Sequence, residues 1–464
     1  MNLAETILVF ANMALAVWYV CRKCLSRHGV EFNHVLAFTV GFLFYWIIPI
    51  ALGIWRFFES FPTMDFWYGI FDGIKGQKLI AYLLICLAAY VCFICGTEYG
   101  ERRSQRHLTP KKRRPLNINL MDGYLLLACV LFIPAALSIR GQFFRGYTSI
   151  DEIQDLYVRS TFGAVMVFSM SLWIIYTSMR HQKLAESGTT LRVFANKFLI
   201  LYMVAAVLAI SMGSRYMVIS AAFIVATYCS VYIKKWRAST MFTFAGGILV
   251  FALAIGAVRA GFGATGALGD ILFSGLAETL NGALSLTYFL GDYAFAVVRW
   301  PIFLLSDYIY LVPRIILPSK DTLVLNPENY GFHILNPVGG VNSFVSFMIN
   351  FGALGTMVFL FLFSFGLAYL KSRRHMVLAR AMYSMLSGWV LISFFRNPFE
   401  VSLVKDIFQM SIVIPTCVVL SVYFFSSSLG ARHSDFVKTA FLQRVTETGP
   451  SLPQPENEGN AGLG

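Results

Sequence analysis

Apolar residues fall in long unbroken runs along most of this chain, and polar residues are confined to the stretches between them. The runs lie approximately at 3–20, 34–55, 78–97, 120–139, 162–179, 197–212, 216–233, 241–258, 343–370, 376–396 and 406–428. Each is close to the ~20 residues that a helix needs to cross the hydrocarbon core of a bilayer. They do not alternate apolar and polar with period two, so the pattern predicts helices and not the strands of a β-barrel. The expected fold is an all-α polytopic membrane protein with about 11 transmembrane helices.

The pattern stops between Arg259 and Val341. There the chain is semi-apolar, broken by Gly and Pro, and carries Arg259, Asp270, Glu278, Asp292, Arg299, Asp307, Arg314, Glu328 and His333. A helix bundle does not need such a segment simply to stay in a membrane. Residues 1–429 therefore read as one transmembrane domain with a single dominant loop, 259–342. The tail 430–464 is polar and rich in Pro, Gly and Glu, too poor in apolar surface to bury a core, and is expected to be disordered. No internal repeat is visible.

Composition agrees with this class. The chain is 57% hydrophobic and 13% charged, with mean hydropathy +0.66, where soluble domains carry roughly 25% charged residues. The net charge of +13 could suggest nucleic acid. Basic loops kept on the cytoplasmic side of a membrane explain it better, and no nucleic-acid partner is expected. If the N-terminus lies outside, the cytoplasmic side receives 22–33, 98–119, 180–196, 234–240, 371–375 and the tail. That topology divides the 37 Lys and Arg into 24 inside and 13 outside, with Arg102, Arg103, Arg106 and Lys111 to Arg114 dominating the vote. The first run is read as a transmembrane helix with its N-terminus in the periplasm. Glu5 stands at its start and Arg22, Lys23 and Arg27 follow it, the reverse of the charge order in a cleaved signal.

The eight cysteines all fall in or at the edges of apolar runs. Cys21–Cys24 and Cys92–Cys95 have CxxC spacing, but no polar setting and no His accompany them, so small apolar packing residues are the better reading. There is no GxGxxG fingerprint and no P-loop. Neither a cofactor nor a metal is expected.

On this topology the outer face holds the loop 140–161, the turn Gly213-Ser214-Arg215, the loop 259–342 and the stretch Arg396-Asn397-Pro398-Phe399-Glu400. Positive-inside statistics disfavour arginine here, and a charge at the bilayer centre costs at least ~2.5 kcal/mol. Snorkelling toward the headgroups accounts for some of these residues. The chemistry that would use several of them is pyrophosphate handling, because guanidinium groups grip phosphate oxygens bidentately and stay charged in a partly dry site. Cations fixed around a leaving pyrophosphate stabilise the charge it gains as its bond to a sugar breaks. Arg215, Arg259, Arg314 and Arg396 are the leading candidates for that role, with Arg299 and Arg145 behind them. A general base would activate an incoming sugar hydroxyl. His333 and Glu328 lead by type and side, and Asp292 and Glu400 are further candidates; a lone loop histidine is more often only a surface residue.

The stretch Gly339-Gly340-Val341-Asn342-Ser343-Phe344, continuing to Ile349-Asn350-Phe351-Gly352-Ala353-Leu354-Gly355, resembles the segment that closes the large periplasmic loop of Wzy-type O-antigen polymerases. Gly213-Ser214-Arg215 at a helix start and Arg396 near the last spans are similar too, as is the overall arrangement of many helices with one dominant loop in the second half. The resemblance implies a bacterial inner-membrane glycosyltransferase with a cytoplasmic C-terminus. Its substrate would be undecaprenyl-pyrophosphate-linked glycan in the surrounding membrane lipid, and a chain-length regulator and a flippase would be its partners. The related O-antigen ligases share the architecture. The competing class is a transporter of lipid-linked sugars, which would place polar residues at mid-membrane in two similar halves. A scaffolding role would leave 259–342 unexplained.

Overall fold

The computed structural model describes residues 3–26, 29–56, 65–105, 118–138, 156–181, 196–211, 216–259, 302–312, 316–330, 343–391, 393–396 and 400–426, with 332 and isolated positions between 279 and 289. In lipid every backbone N–H and C=O must find a partner inside the protein, and long apolar segments meet that demand as helices. The chain accordingly runs through α1 (Leu3–Cys24), α2 (His34–Ile54), α3 (Asp65–Ile74), α4 (Gln77–Gln105), α5 (Leu120–Ser138), α6 (Leu156–Met179), α7 (Lys197–Ser211), α8 (Tyr216–Tyr228) and α9 (Ala238–Arg259). Within the long loop come α10 (Ile302–Asp307) and α11 (Lys320–Leu323), followed by α12 (Ser343–Ser372), α13 (Val377–Val390), α14 (Ser393–Arg396) and the π-helical α15 (Glu400–Val413). A two-residue hairpin, β1 (Leu25–Ser26) with β2 (Gly29–Val30), links α1 to α2. Helical segments stand at each predicted apolar run. Among the described residues, six helices are long and apolar enough to cross a membrane: Leu3–Cys24, His34–Ile54, Gln77–Ser104, Leu120–Ser138, Phe344–Ser372 and Val404–Ser426.

The most extensively packed helix pair is α4 beside α12. Gly96 and Gly100 permit the approach. A Cβ on Gly100 would stand 2.8 Å from the Phe365 carbonyl oxygen, and one on Gly96 would overlap Ser364 and the Phe361 carbonyl. This Gly-x-x-x-Gly spacing puts two small residues on one helix face, the arrangement by which helices pack closely in lipid. An aromatic core fills the space toward α2: the Phe38 and Phe93 rings stack at 3.8 Å, with Phe42, Tyr90, Phe394 and Phe395 around them. Every residue of α13 from Ala379 to Val390 except Met382 is buried, and the helix lies against α8, where Gly388 faces the Ile224 backbone.

The described residues of the predicted basic loops gather at one end of this bundle. Lys23 bonds Glu98 at 2.8 Å and Glu101 at 2.6 Å, and Glu31 receives Lys371 at 2.8 Å and Lys235 at 3.1 Å. Arg380 donates to the Ser178 carbonyl, and Val30 pairs with Trp236 as an isolated bridge. The Glu5 carboxylate accepts the Gly76 N–H at 2.8 Å at the opposite end.

Three elements depart from the predicted runs. α12 is not one continuous helix, because its backbone breaks at Gly352. The run 376–396 divides into α13 and α14. α4 continues past residue 97 to Gln105 and places Arg102 and Arg103 in its last turn, where cations offset the helix dipole. The disordered tail was predicted for residues outside the described ones.

Candidate functional site

At the end opposite the basic loops, the described part of the segment 259–342 is folded. α10 continues into a 3-10 turn, Tyr308–Leu311, and after α11 a second 3-10 turn spans Pro327–Tyr330. Local hydrogen bonds hold the fold. Ser306 Oγ accepts the Leu325 N–H at 3.2 Å and donates to the Phe303 carbonyl at 2.8 Å; Lys320, nearly buried, donates to the Val312 carbonyl at 2.8 Å. Phe303 packs edge-on against Tyr330 and Phe332.

Two contacts seat this cap on the bundle. Asn350 of α12 is 1% exposed; its Oδ1 accepts the Leu304 N–H at 2.8 Å while its Nδ2 donates to the Ser346 carbonyl. Tyr308 meets Phe408 of α15 edge to face, with ring centroids 5.4 Å apart.

The break in α12 lies just beyond Asn350. Gly352 has φ 64° and ψ −177°, a conformation open only to glycine without strain. Phe347 and Phe359 are twelve residues apart, which would separate them by ~18 Å along a straight helix. Their ring centroids instead lie 4.2 Å apart, tilted by 30°, so the first turns of α12 fold back on the rest. The Thr356 hydroxyl donates to the Gly352 carbonyl at 2.7 Å, a side-chain bond within the first turn beyond the break.

α14 is the third element here. The Ser393 hydroxyl donates to the Asp406 carboxylate of α15, and the Ser411 hydroxyl donates to the Asp406 carbonyl at 2.7 Å. All three side chains are buried. Phe394 stacks on Phe363 at 5.7 Å, and Phe395 packs against Phe38 and Trp46 at 5.1 Å each. α14 is thus held on both faces, and its last residue is Arg396.

Of the residues singled out in the sequence, Arg396 ends α14, Arg259 ends α9 and Glu328 lies in the turn Pro327–Tyr330. Glu328 and Arg396 belong to elements tied to α12 and α15. No described contact ties Arg259 to that set. His333, Arg145, Arg215, Arg299 and Arg314 lie outside the described residues. Sequence reasoning missed Asn350 as a clamp and Asp406 altogether. Asp406 begins an apolar run and reads there as a helix-end charge, with nothing in the spacing to link it to Ser393.

A second polar cluster occupies the basic end. Burial alone would raise the Glu31 carboxyl, but the ammonium groups of Lys371 and Lys235 outweigh it and hold the carboxyl below its ordinary range. His181 is pushed down to about 4 by burial and by Arg380 and Arg374, so its imidazole is neutral at pH 7. Its Nδ1 lies 3.4 Å from the Tyr228 hydroxyl. At the other end, Lys75 and, behind it, Arg56 keep the Asp72 carboxyl below its ordinary value. These contacts are structural: those of Glu31 and His181 and the Arg56–Asp72 pair join neighbouring elements, and Lys75–Asp72 closes the end of α3.

All eight cysteines are free. Among the described residues no group of three or more His, Cys, Asp or Glu is arranged to hold a metal ion. Compared with known proteins, the chain matches no family model, no curated protein and no solved structure.

Proposed function

We propose that the chain is a glycosyltransferase of the bacterial inner membrane that polymerises undecaprenyl-pyrophosphate-linked oligosaccharide repeat units at the periplasmic face, yielding O-antigen or exopolysaccharide. The basic end then lies in the cytoplasm and the cap 302–330 in the periplasm, with eleven crossings between them. One observation carries the reading. The cap, the broken helix α12 and the helix that ends in Arg396 converge on one end of the bundle through Leu304–Asn350, Tyr308–Phe408 and Ser393–Asp406. The stretch that resembles Wzy-type polymerases, 339–355, covers the junction between the cap and that broken helix.

In this mechanism the arginines grip the pyrophosphate of the donor. A base, His333 or Glu328, takes the proton from a hydroxyl of the acceptor repeat unit. The hydroxyl oxygen attacks the anomeric carbon, the bond from that carbon to the phosphate oxygen breaks, and undecaprenyl pyrophosphate leaves with the electron pair. Cations fixed in advance around that leaving group lower the barrier most, because the charge on it grows in the transition state.

A transporter is the second reading, and the helix breaks favour it, since discontinuous helices line transport sites. Transporters place such breaks in corresponding positions of two similar halves. Here Gly352 and the α13–α14 interruption both fall in the last third of the chain. The arginines supply the test. Replacing Arg215, Arg259, Arg314 or Arg396 by Ala should shorten the glycan and lower the rate by ~10–100-fold, and Lys should not restore it fully because the bidentate fork is lost. Glycan of wild-type length from all four Ala variants would remove this site.

A further inference from the structure

The buried carboxylate of Asp406 has no part in the chemistry just described. It stands in α15, 1% exposed, and receives the hydroxyl of Ser393, the first residue of α14. The Asp406 backbone carbonyl is taken by Ser411, so the turn that carries the carboxylate is itself fixed. The same helix presents Phe408 to Tyr308 of the cap two residues further on. One element thus touches both the cap and α14. α14 is a single turn and cannot hold a helical geometry alone, since a helix nucleus is unfavourable without outside contacts. Phe394 and Phe395 fix its apolar side in the aromatic core, and the Ser393–Asp406 bond is its polar tether.

We infer that Asp406 is a positioning residue for Arg396: by holding Ser393 it fixes the rotation and depth of α14, and so where the guanidinium at its end meets the substrate pyrophosphate. The inference rests on the proposed function for the identity of the substrate. Asp406 touches no reacting atom; its part is to hold Ser393.

The role separates from that of a base or a charge partner by substitution in the full-length protein. Asp406→Asn keeps an oxygen that accepts from Ser393, whereas Asp406→Leu and Ser393→Ala do not. Rates measured against lipid-linked repeat unit should show kcat/KM within ~3-fold of wild type for D406N and at least ~10-fold down for D406L and S393A, in line with the loss of a hydrogen bond to a charged group. Combined with Arg396→Ala, D406L should cause no further loss, because a residue acting through Arg396 has nothing left to position. Hydrogen exchange over residues 391–400 provides a readout that needs no activity. D406L and S393A should lose protection at α14, and D406N should keep it.

D406N as inactive as D406L, additive losses in the double variant, or unchanged exchange at 393–396 in D406L would each overturn the inference. Deletion of the gene without effect on the glycan ladder would overturn the proposed function instead, and with it the substrate role of Arg396, while the exchange result reports separately on the tether.

Discussion

Glu31 shows how much one side chain can hold at a helix-bundle end. Its carboxylate joins Lys371 at the end of α12 to Lys235 beyond α8, and its side chain is 17% exposed. Two charge-assisted bonds in a partly dry site make Glu31→Gln destabilising by ~1–3 kcal/mol at neutral pH. The sign of the pH dependence follows from the lowered carboxyl. The stabilisation is fully present above the ordinary carboxylate range and is lost as pH falls through the lower folded value. Thermal unfolding in detergent should show the variant below wild type at pH 7, with the gap closing in acid. An equal gap in acid would mean that the ion pairs are not its source. The sequence reveals Glu31 only as an acid among basic loop residues, because both of its partners are more than a hundred residues away.

At the level of elements, the apolar runs locate the helices well. Run length and hydropathy depend on the solvent that the segment meets, and a bilayer imposes that requirement locally. The break at Gly352 was invisible for the same reason. Residues 343–370 stay mainly apolar through Gly352, so neither hydropathy nor polarity marks where the backbone departs from helix. The NFG stretch was legible as a motif but not as a reversal. Its conformation makes a sharp prediction. Gly352→Ala places a Cβ in a backbone region that only glycine occupies, at ~1–3 kcal/mol of strain. The first turns of α12 would straighten away from Phe359 and carry Asn350 from Leu304. The variant should lose thermal stability and produce shortened glycan, whereas Ala at exposed Leu354 should do neither. Full activity and unchanged melting in Gly352→Ala would show that the break is dispensable.

For the whole molecule, the basic end carries a further mark of an interface. Arg22 lies over Trp18 at 5.5 Å, Arg180 over Tyr176 at 5.4 Å and Arg373 over Tyr369 at 4.9 Å, each arginine on an aromatic ring four residues earlier in its helix. Aromatic rings and cations at one level are the anchors expected where a bundle meets lipid headgroups. With the predicted excess of basic residues at that end, reporter fusions after residue 110 and in the tail should report cytoplasm, and a fusion near residue 325 should report periplasm. A cytoplasmic report at 325 would put the cap on the wrong side for a lipid-linked glycan exposed in the periplasm.

The sequence marks the candidate region only as one polar loop and a set of arginines expected on the same side. It does not mark the assembly, because Asn350, Phe408 and Asp406 reach their partners through the fold and not along the chain. The central claim, that two lipid-linked glycans are joined here, is tested most directly by the surface glycan of cells lacking the gene. A polymerase is not needed to make, flip or attach single repeat units. Its loss should therefore replace the ladder of chain lengths by a single repeat unit on the lipid anchor, with the ladder restored when the gene is returned. Loss of a ligase would leave long polymer on the undecaprenyl carrier, and loss of a flippase would trap single units on the cytoplasmic side. Long chains persisting on the surface of a clean deletion would contradict the account.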